Sequence, residues 1–98
     1  MKLDKIVHEP ARLRIMMVLS GVESADFNFL LNTLGVTRGN LSSHTEKLER
    51  AGYITIEKTF IGKRPNTSFK LTAAGKNALK IYWKNLDAVR RLGHEKDD

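Results

Sequence analysis

The sequence predicts a mainly α-helical fold with one small β-hairpin (α+β), in the order α-α-α-β-β-α. Two observations predict it. Up to Ala51, apolar side chains recur at steps of three and four, punctuated by Gly21 and Gly35 and closed by Gly52. After Gly52 the period drops to two, and from Thr72 it returns to the helical step. A chain of 98 residues suits one domain, here 1–93, followed by an acidic stretch, His94-Glu95-Lys96-Asp97-Asp98.

The elements follow in order. Leu3, Ile6 and Val7 show a short helical period, and Pro10 suits a helix's first turn, where its missing N–H costs nothing. Ala11 to Ser20 is apolar almost all round, the pattern of a buried central helix, and Gly21 ends it. Residues 3–20 are therefore read as an N-terminal helical piece and a core helix. Asp26 caps a second helix, Phe27 to Leu34, with Phe27, Leu30, Leu31 and Leu34 on one face, and Gly35 closes it. Thr37 caps a third helix running to about Ala51. Only Gly35-Val36-Thr37 separates the two, the tight turn of a helix-turn-helix built from 26–34 and 37–51.

In Tyr53-Ile54-Thr55-Ile56-Glu57-Lys58 the isoleucines face one way, and Phe69 and Leu71 repeat this in a second strand. Gly62-Lys63-Arg64-Pro65-Asn66 is the hairpin loop within 53–71. Thr72 caps a last helix, 72–92, with Leu79, Tyr82, Trp83, Leu86 and Val89 at helical spacing. Three helices, a basic-tipped hairpin and a long terminal helix make the layout of a winged helix-turn-helix.

Composition narrows the function. With no cysteine, disulfides, thiolate metal sites and cysteine nucleophiles are excluded. The net charge of +6 points to an anionic partner, nucleic acid first. That charge is unevenly placed. Residues 1–36 balance at zero, 37–70 carry seven basic against three acidic side chains, and 71–93 carry five against one. The longest apolar run, Ile15 to Leu19, is far short of the roughly 20 residues a membrane span needs. Met1-Lys2-Leu3-Asp4-Lys5 begins no signal peptide, so a cytoplasmic protein is expected.

On the third helix, Leu41, Thr45 and Leu48 form the docking stripe, and Arg38, Asn40, Ser43, His44 and Lys47 the opposite one. The latter suits a major groove: Asn can bond an adenine edge twice, Arg can grip guanine, and Ser and His adapt. Gly39 costs about 1 kcal/mol against Ala inside a helix. In the first turn, however, it would let a phosphate approach the free N–H groups. Thr37, Arg38, Gly39, Asn40, Ser42, Ser43, His44 and Lys47 are thus the candidate DNA contacts on the helix. Lys63 and Arg64 join them from the hairpin tip, which suits a narrow minor groove.

Several blocks resemble a known family. His8-Glu9-Pro10-Ala11-Arg12-Leu13-Arg14-Ile15, Gly39-Asn40-Leu41-Ser42-Ser43-His44, Leu48-Glu49-Arg50-Ala51-Gly52-Tyr53-Ile54, Arg64-Pro65-Asn66-Thr67 and Leu71-Thr72-Ala73-Ala74-Gly75 are similar to small winged-helix transcriptional regulators related to the MarR and ArsR groups. The resemblance covers residues 3–90. It implies a homodimeric regulator of double-stranded DNA with a palindromic operator, the third helix in the major groove and the wing beside it. It also implies pairing through the first and last helices, here Leu3, Ile6 and Val7 with Leu79, Tyr82, Trp83, Leu86 and Val89. Two departures stand out: Thr45 replaces an aliphatic residue, and thiolate metal sensing cannot occur. A cleft between the pairing helices could hold a small apolar effector, but no residue demands one.

Other classes fit less well. Ser42, Ser43 and His44 are helical neighbours that do not face one another, and no Gly-rich phosphate loop or paired His is present, so no enzyme or cofactor is expected. His94 with Glu95 and Asp97 is a weak local metal cluster, and His8 and His44 stand alone. The alternative is a winged-helix protein-interaction or RNA-binding module. Such modules often lose the basic stripe and wing tip, which this chain keeps.

Overall fold

The computed structural model describes the backbone of residues 2–96 and the side chains of residues 2–93. Its elements run α1 (Pro10–Ser20), β1 (Ala25–Asp26), α2 (Phe27–Leu34), α3 (Arg38–Arg50), β2 (Ile54–Ile61), β3 (Arg64–Leu71) and α4 (Ala73–Lys96). The winged-helix order is as expected, with one added piece: the two-residue β1 pairs antiparallel with β3, giving a sheet of order β1-β3-β2.

The N-terminal segment is not a helix. Residues 5–7 make a single turn held by Asp4, whose carboxylate accepts from the amides of Ile6 (2.8 Å) and Val7 (3.3 Å). The turn cannot propagate because the residue before proline is pushed out of the α region: Glu9 sits at φ −150, ψ 129. It becomes instead the N-cap of α1, its side chain accepting from Ala11 N at 2.5 Å. α1 is also less enclosed than its composition suggests. Ile15, Met16 and Leu19 are buried, while Arg14 and Met17 reach solvent.

The core gathers one face from every larger element: Ile15, Met16 and Leu19 of α1, Leu30 and Leu34 of α2, Leu41 and Leu48 of α3, Ile54 and Phe69 of the sheet, and Leu79 and Tyr82 of α4. α2 starts at an Asp26 cap whose carboxylate accepts from Phe29 N at 2.7 Å. It ends at Gly35, whose φ of +66 is left-handed. After α3, Gly52 takes φ +80. Tyr53 N then bonds the Leu48 carbonyl (3.0 Å) and Gly52 N that of Glu49 (2.9 Å), a Schellman closure that turns the chain into β2.

The last helix runs to Lys96, four residues beyond its sequence pattern, so His94 to Lys96 continue it rather than starting a separate tail. Asp97 and Asp98, and the side chains of His94 and Glu95 proposed for a metal, lie outside the described residues. Among the described residues no helix is long and apolar enough to cross a membrane.

Candidate nucleic-acid interface

α3 is seated by Leu41, Thr45 and Leu48, all buried. Thr45 is tolerated there because its hydroxyl donates to the Leu41 carbonyl at 2.8 Å, so no polar group is stranded. At the start of the helix the Thr37 hydroxyl accepts from Asn40 N at 3.1 Å. Thr37 is therefore a cap before it is anything else. Gly39, Asn40, Ser43 and Lys47 are exposed, as the spacing required. Arg50 lies on the same face, three residues past Lys47, and the sequence reading missed it. Its 3.9 Å pairing with Glu46 joins two exposed side chains and is worth little. Among the described residues, Arg38 and Lys47 have no ion-pair partner, while Arg38 lies over the Phe27 ring at 5.7 Å from its centroid.

Two candidates face elsewhere. His44 does not sit on the open face: its side chain is 21% exposed and its Nδ1 lies 3.3 Å from Glu9 Oε2 and 3.2 Å from Arg12 Nη1. The reason is that position 44 flanks the docking stripe, where the start of α1 packs. Glu9 Oε2 is itself buried without a hydrogen bond, held within ion-pair range of Arg12 (3.7 Å) and His44. Ser42 lines a groove of about 510 Å³ between α3 and the hairpin, floored by Thr45, Ile56 and Phe69.

The hairpin is longer and its turn tighter than expected. β2 and β3 pair over eight residues each, from Ile54↔Leu71 to Ile61↔Arg64, leaving only Gly62-Lys63 as the loop. Gly62 takes φ +63, which a two-residue hairpin turn with glycine at its first central position requires. Arg64, Pro65 and Asn66 therefore belong to β3. Pro65 is allowed because β1 pairs only with Ser68 and Phe69, so β3 is an edge at residue 65. Lys63 and Arg64 are exposed at the tip as expected. Beside them stand Phe60 and Ile61, 72% and 65% exposed.

Residues 11–89 match the winged helix DNA-binding domain family. The chain belongs to this family. An uncharacterized protein of Methanocaldococcus jannaschii is 38% identical over 78 residues, spanning 80% of this chain and 85% of that one. The structure of a transcriptional regulator homologue from Pyrococcus horikoshii is 36% identical, covers 88% of this chain and 85% of that one, and superposes with a TM-score of 0.81. A structure described as a MarR-family transcriptional regulator from Enterococcus faecalis has the same fold at 18% identity, TM-score 0.75, over 94% of this chain and 83% of that one. The MarR-like resemblance thus holds at the level of the fold.

In this winged-helix domain the expected pairing residues divide into two sets. Val7, Leu79 and Tyr82 are 0%, 6% and 3% exposed, buried by the chain's own fold and so withdrawn from any partner. Leu79 and Tyr82 sit on the half of α4 that covers the body, and Val7 is folded inward by the Asp4 turn. His8 Nδ1 lies 2.8 Å from the Tyr82 hydroxyl, fixing that ring. Leu3, Ile6 and Leu86 are partly buried, whereas Trp83 and Val89 are exposed, joined by Ile81 and Leu92.

Proposed function

We propose that this winged-helix domain is a sequence-specific, double-stranded DNA-binding transcriptional regulator that acts as a homodimer in the cytoplasm. One observation carries the DNA reading: the exposed face of α3 and the wing tip offer base-reading and phosphate-binding groups that the fold does not use. Asn40 and Ser43 stand free between Arg38 and Lys47, and Lys63 and Arg64 project from the hairpin with no ion-pair partner among the described residues. A major groove about 12 Å wide admits a helix such as α3. Asn40 and Ser43 are the base readers, Arg38 and Lys47 share bases and phosphates, and the wing takes the flanking minor groove.

The dimer reading rests on α4. Leu79, Tyr82, Leu86 and Val89 follow steps of three, four and three, a coiled-coil seam whose first half is spent on the core, whose third residue is partly buried and whose last, Val89, is open. Two-fold pairing there would set two recognition helices about one DNA turn, roughly 34 Å, apart and demand a palindromic site.

Selection of bound sequences from random duplexes tests both parts, since a recovered palindrome establishes reading and symmetry together. Asn40→Ala should then lower the preference for the selected site by about 1–3 kcal/mol. Equal losses on selected and random DNA would remove Asn40 from base reading. A monomer mass in sedimentation, with specific binding retained, would overturn the dimer.

A further inference from the structure

Phe60 and Ile61 do nothing for the fold. They are the two most exposed large apolar side chains among the described residues, at the far end of a hairpin that has already left the body of the domain. Alternation along β2 puts Phe60 on the same sheet face as Ile54, Ile56 and Lys58, and Pro65 is directly opposite it on β3. That is the face on which α3 packs, through Ile54 and the groove floored by Ile56 and Phe69. The apolar pair Phe60 and Pro65 therefore points to the side of the wing that α3 shares. Ile61, opposite Arg64, stands on the other face of the tip. Around them are Lys58, Lys63 and Arg64, all exposed and unpaired among the described residues.

A hairpin tip meant only for solvent has no use for a phenylalanine, and one meant only for phosphates needs cations alone. An apolar point ringed by cations fits a polyanion with an apolar interior that can be opened. A duplex is such a polyanion. From Ile56 to the turn the wing extends roughly 20 Å, at about 3.3 Å per residue, enough to reach a minor groove flanking a helix docked in the major groove.

We propose that the wing tip is a wedge: Phe60, backed by Pro65, enters a base step of the minor groove and partly unstacks it, while Lys58, Lys63 and Arg64 hold the adjacent phosphates. Apolar side chains inserted in this way kink the duplex toward the major groove. The site then gains specificity at a position where no base edge is read, because pyrimidine–purine steps open most easily. This inference rests on the DNA reading of the preceding section and adds to it a bend and a flanking-step preference.

The test uses the full chain and 30-base-pair duplexes recovered from a random pool by the wild-type protein, carrying a donor and an acceptor dye at their ends. Wild type should shorten the end-to-end distance and favour duplexes with a TA or CA step outside the α3 footprint. Phe60→Ala, at a position too exposed to affect folding, should abolish the shortening and weaken binding about tenfold while leaving the salt slope unchanged, because no cation is lost. Ile61→Ser should weaken binding less, since Ile61 faces away from Pro65. Equal bending and affinity for wild type and Phe60→Ala would overturn the wedge and leave the DNA reading standing. A pool from which wild type retains no duplex would overturn the DNA reading itself. Two further outcomes would also overturn the assignment: stronger, Phe60-dependent binding to phosphatidylglycerol vesicles than to duplex, or a change of oligomeric state in Phe60→Ala without DNA.

Discussion

Gly39 separates what the fold needs from what the ligand needs. It occupies the first turn of α3 with ordinary helical backbone, and a Cβ built on it would meet nothing within 4 Å. The protein therefore gives no reason for glycine there, and the fold should prefer alanine. Replacing Gly by Ala in a helix is worth about 0.5–1 kcal/mol. For a domain of this size that raises Tm by roughly 2–8 °C. On DNA the sign should reverse. Thr37 caps the amide of Asn40, and the amides of Arg38 and Gly39, in the first turn, have no acceptor within the helix. A phosphate that reaches them passes where the methyl group would sit. Losing one charge-assisted hydrogen bond costs about 1.5–3 kcal/mol, or about tenfold to a hundredfold in affinity. Thermal unfolding and duplex titration of Gly39→Ala, both at one protein concentration, read the two terms separately. A higher Tm with unchanged affinity would refute the phosphate approach, and a lower Tm would refute the packing argument.

Three other perturbations follow from the same geometry. Gly75→Ala should cost about 3 kcal/mol in urea unfolding with an unchanged m-value, because its Cβ would lie 2.1 Å from the Tyr53 carbonyl oxygen, which is backbone and cannot rotate away. Tyr53 donates to the Asp4 carboxylate, and that bond, then burial, then the carboxylate charge push the phenol from 10.0 up to about 12. The folded state thus favours the neutral phenol, so Tyr53 contributes stability below pH 10 that is lost as pH rises toward 12. The stability gap between wild type and Tyr53→Phe should shrink across that window, and parallel profiles would contradict it. Arg64→Ala should weaken duplex binding and reduce the log–log salt slope by about 1, whereas an unchanged slope would take Arg64 off the phosphates.

Elements with signals at both ends were readable in advance. Phe27–Leu34 carries an Asp cap, a one-sided apolar face and a left-handed glycine, and its bounds match the structure residue for residue. The N-terminal turn was not readable, because Leu3, Ile6 and Val7 have helical spacing for a different reason: one Asp4 carboxylate folds the segment, and Pro10 prevents its extension. The hairpin was underestimated because the reading relied on alternation. Beyond Lys58 the wing leaves the body, neither face is buried, and no period remains to be seen. His44 shows a further limit. Spacing assigns a residue to a stripe, but only the docked position of α1 decides which edge of that stripe is covered. The same holds for Val7, Leu79 and Tyr82, whose apolar pattern reveals that they are buried but not against what.

Two sequence blocks that look like separate signatures are halves of one joint. Leu48 to Ile54 ends α3, and Leu71 to Gly75 begins α4. The Leu48 carbonyl accepts from Tyr53 N at 3.0 Å, and the Tyr53 carbonyl accepts from Thr72 N, also at 3.0 Å. The Thr72 hydroxyl donates to the Gly52 carbonyl at 2.6 Å and accepts from Gly75 N at 2.9 Å. Gly75 lets the first turn of α4 lie directly on the Tyr53 backbone. Backbone groups, which cannot change rotamer, therefore fix the angle between α3, the proposed recognition helix, and α4, the helix proposed to carry the dimer. In a two-fold dimer that angle sets the separation of the two reading heads. In the proposed dimer, a cap hydroxyl and a glycine on neither DNA-reading surface would therefore set the spacing. The short Leu-Thr-Ala-Ala-Gly sequence is explained by this contact: Thr supplies both hydrogen bonds, and no residue larger than Gly fits three positions later.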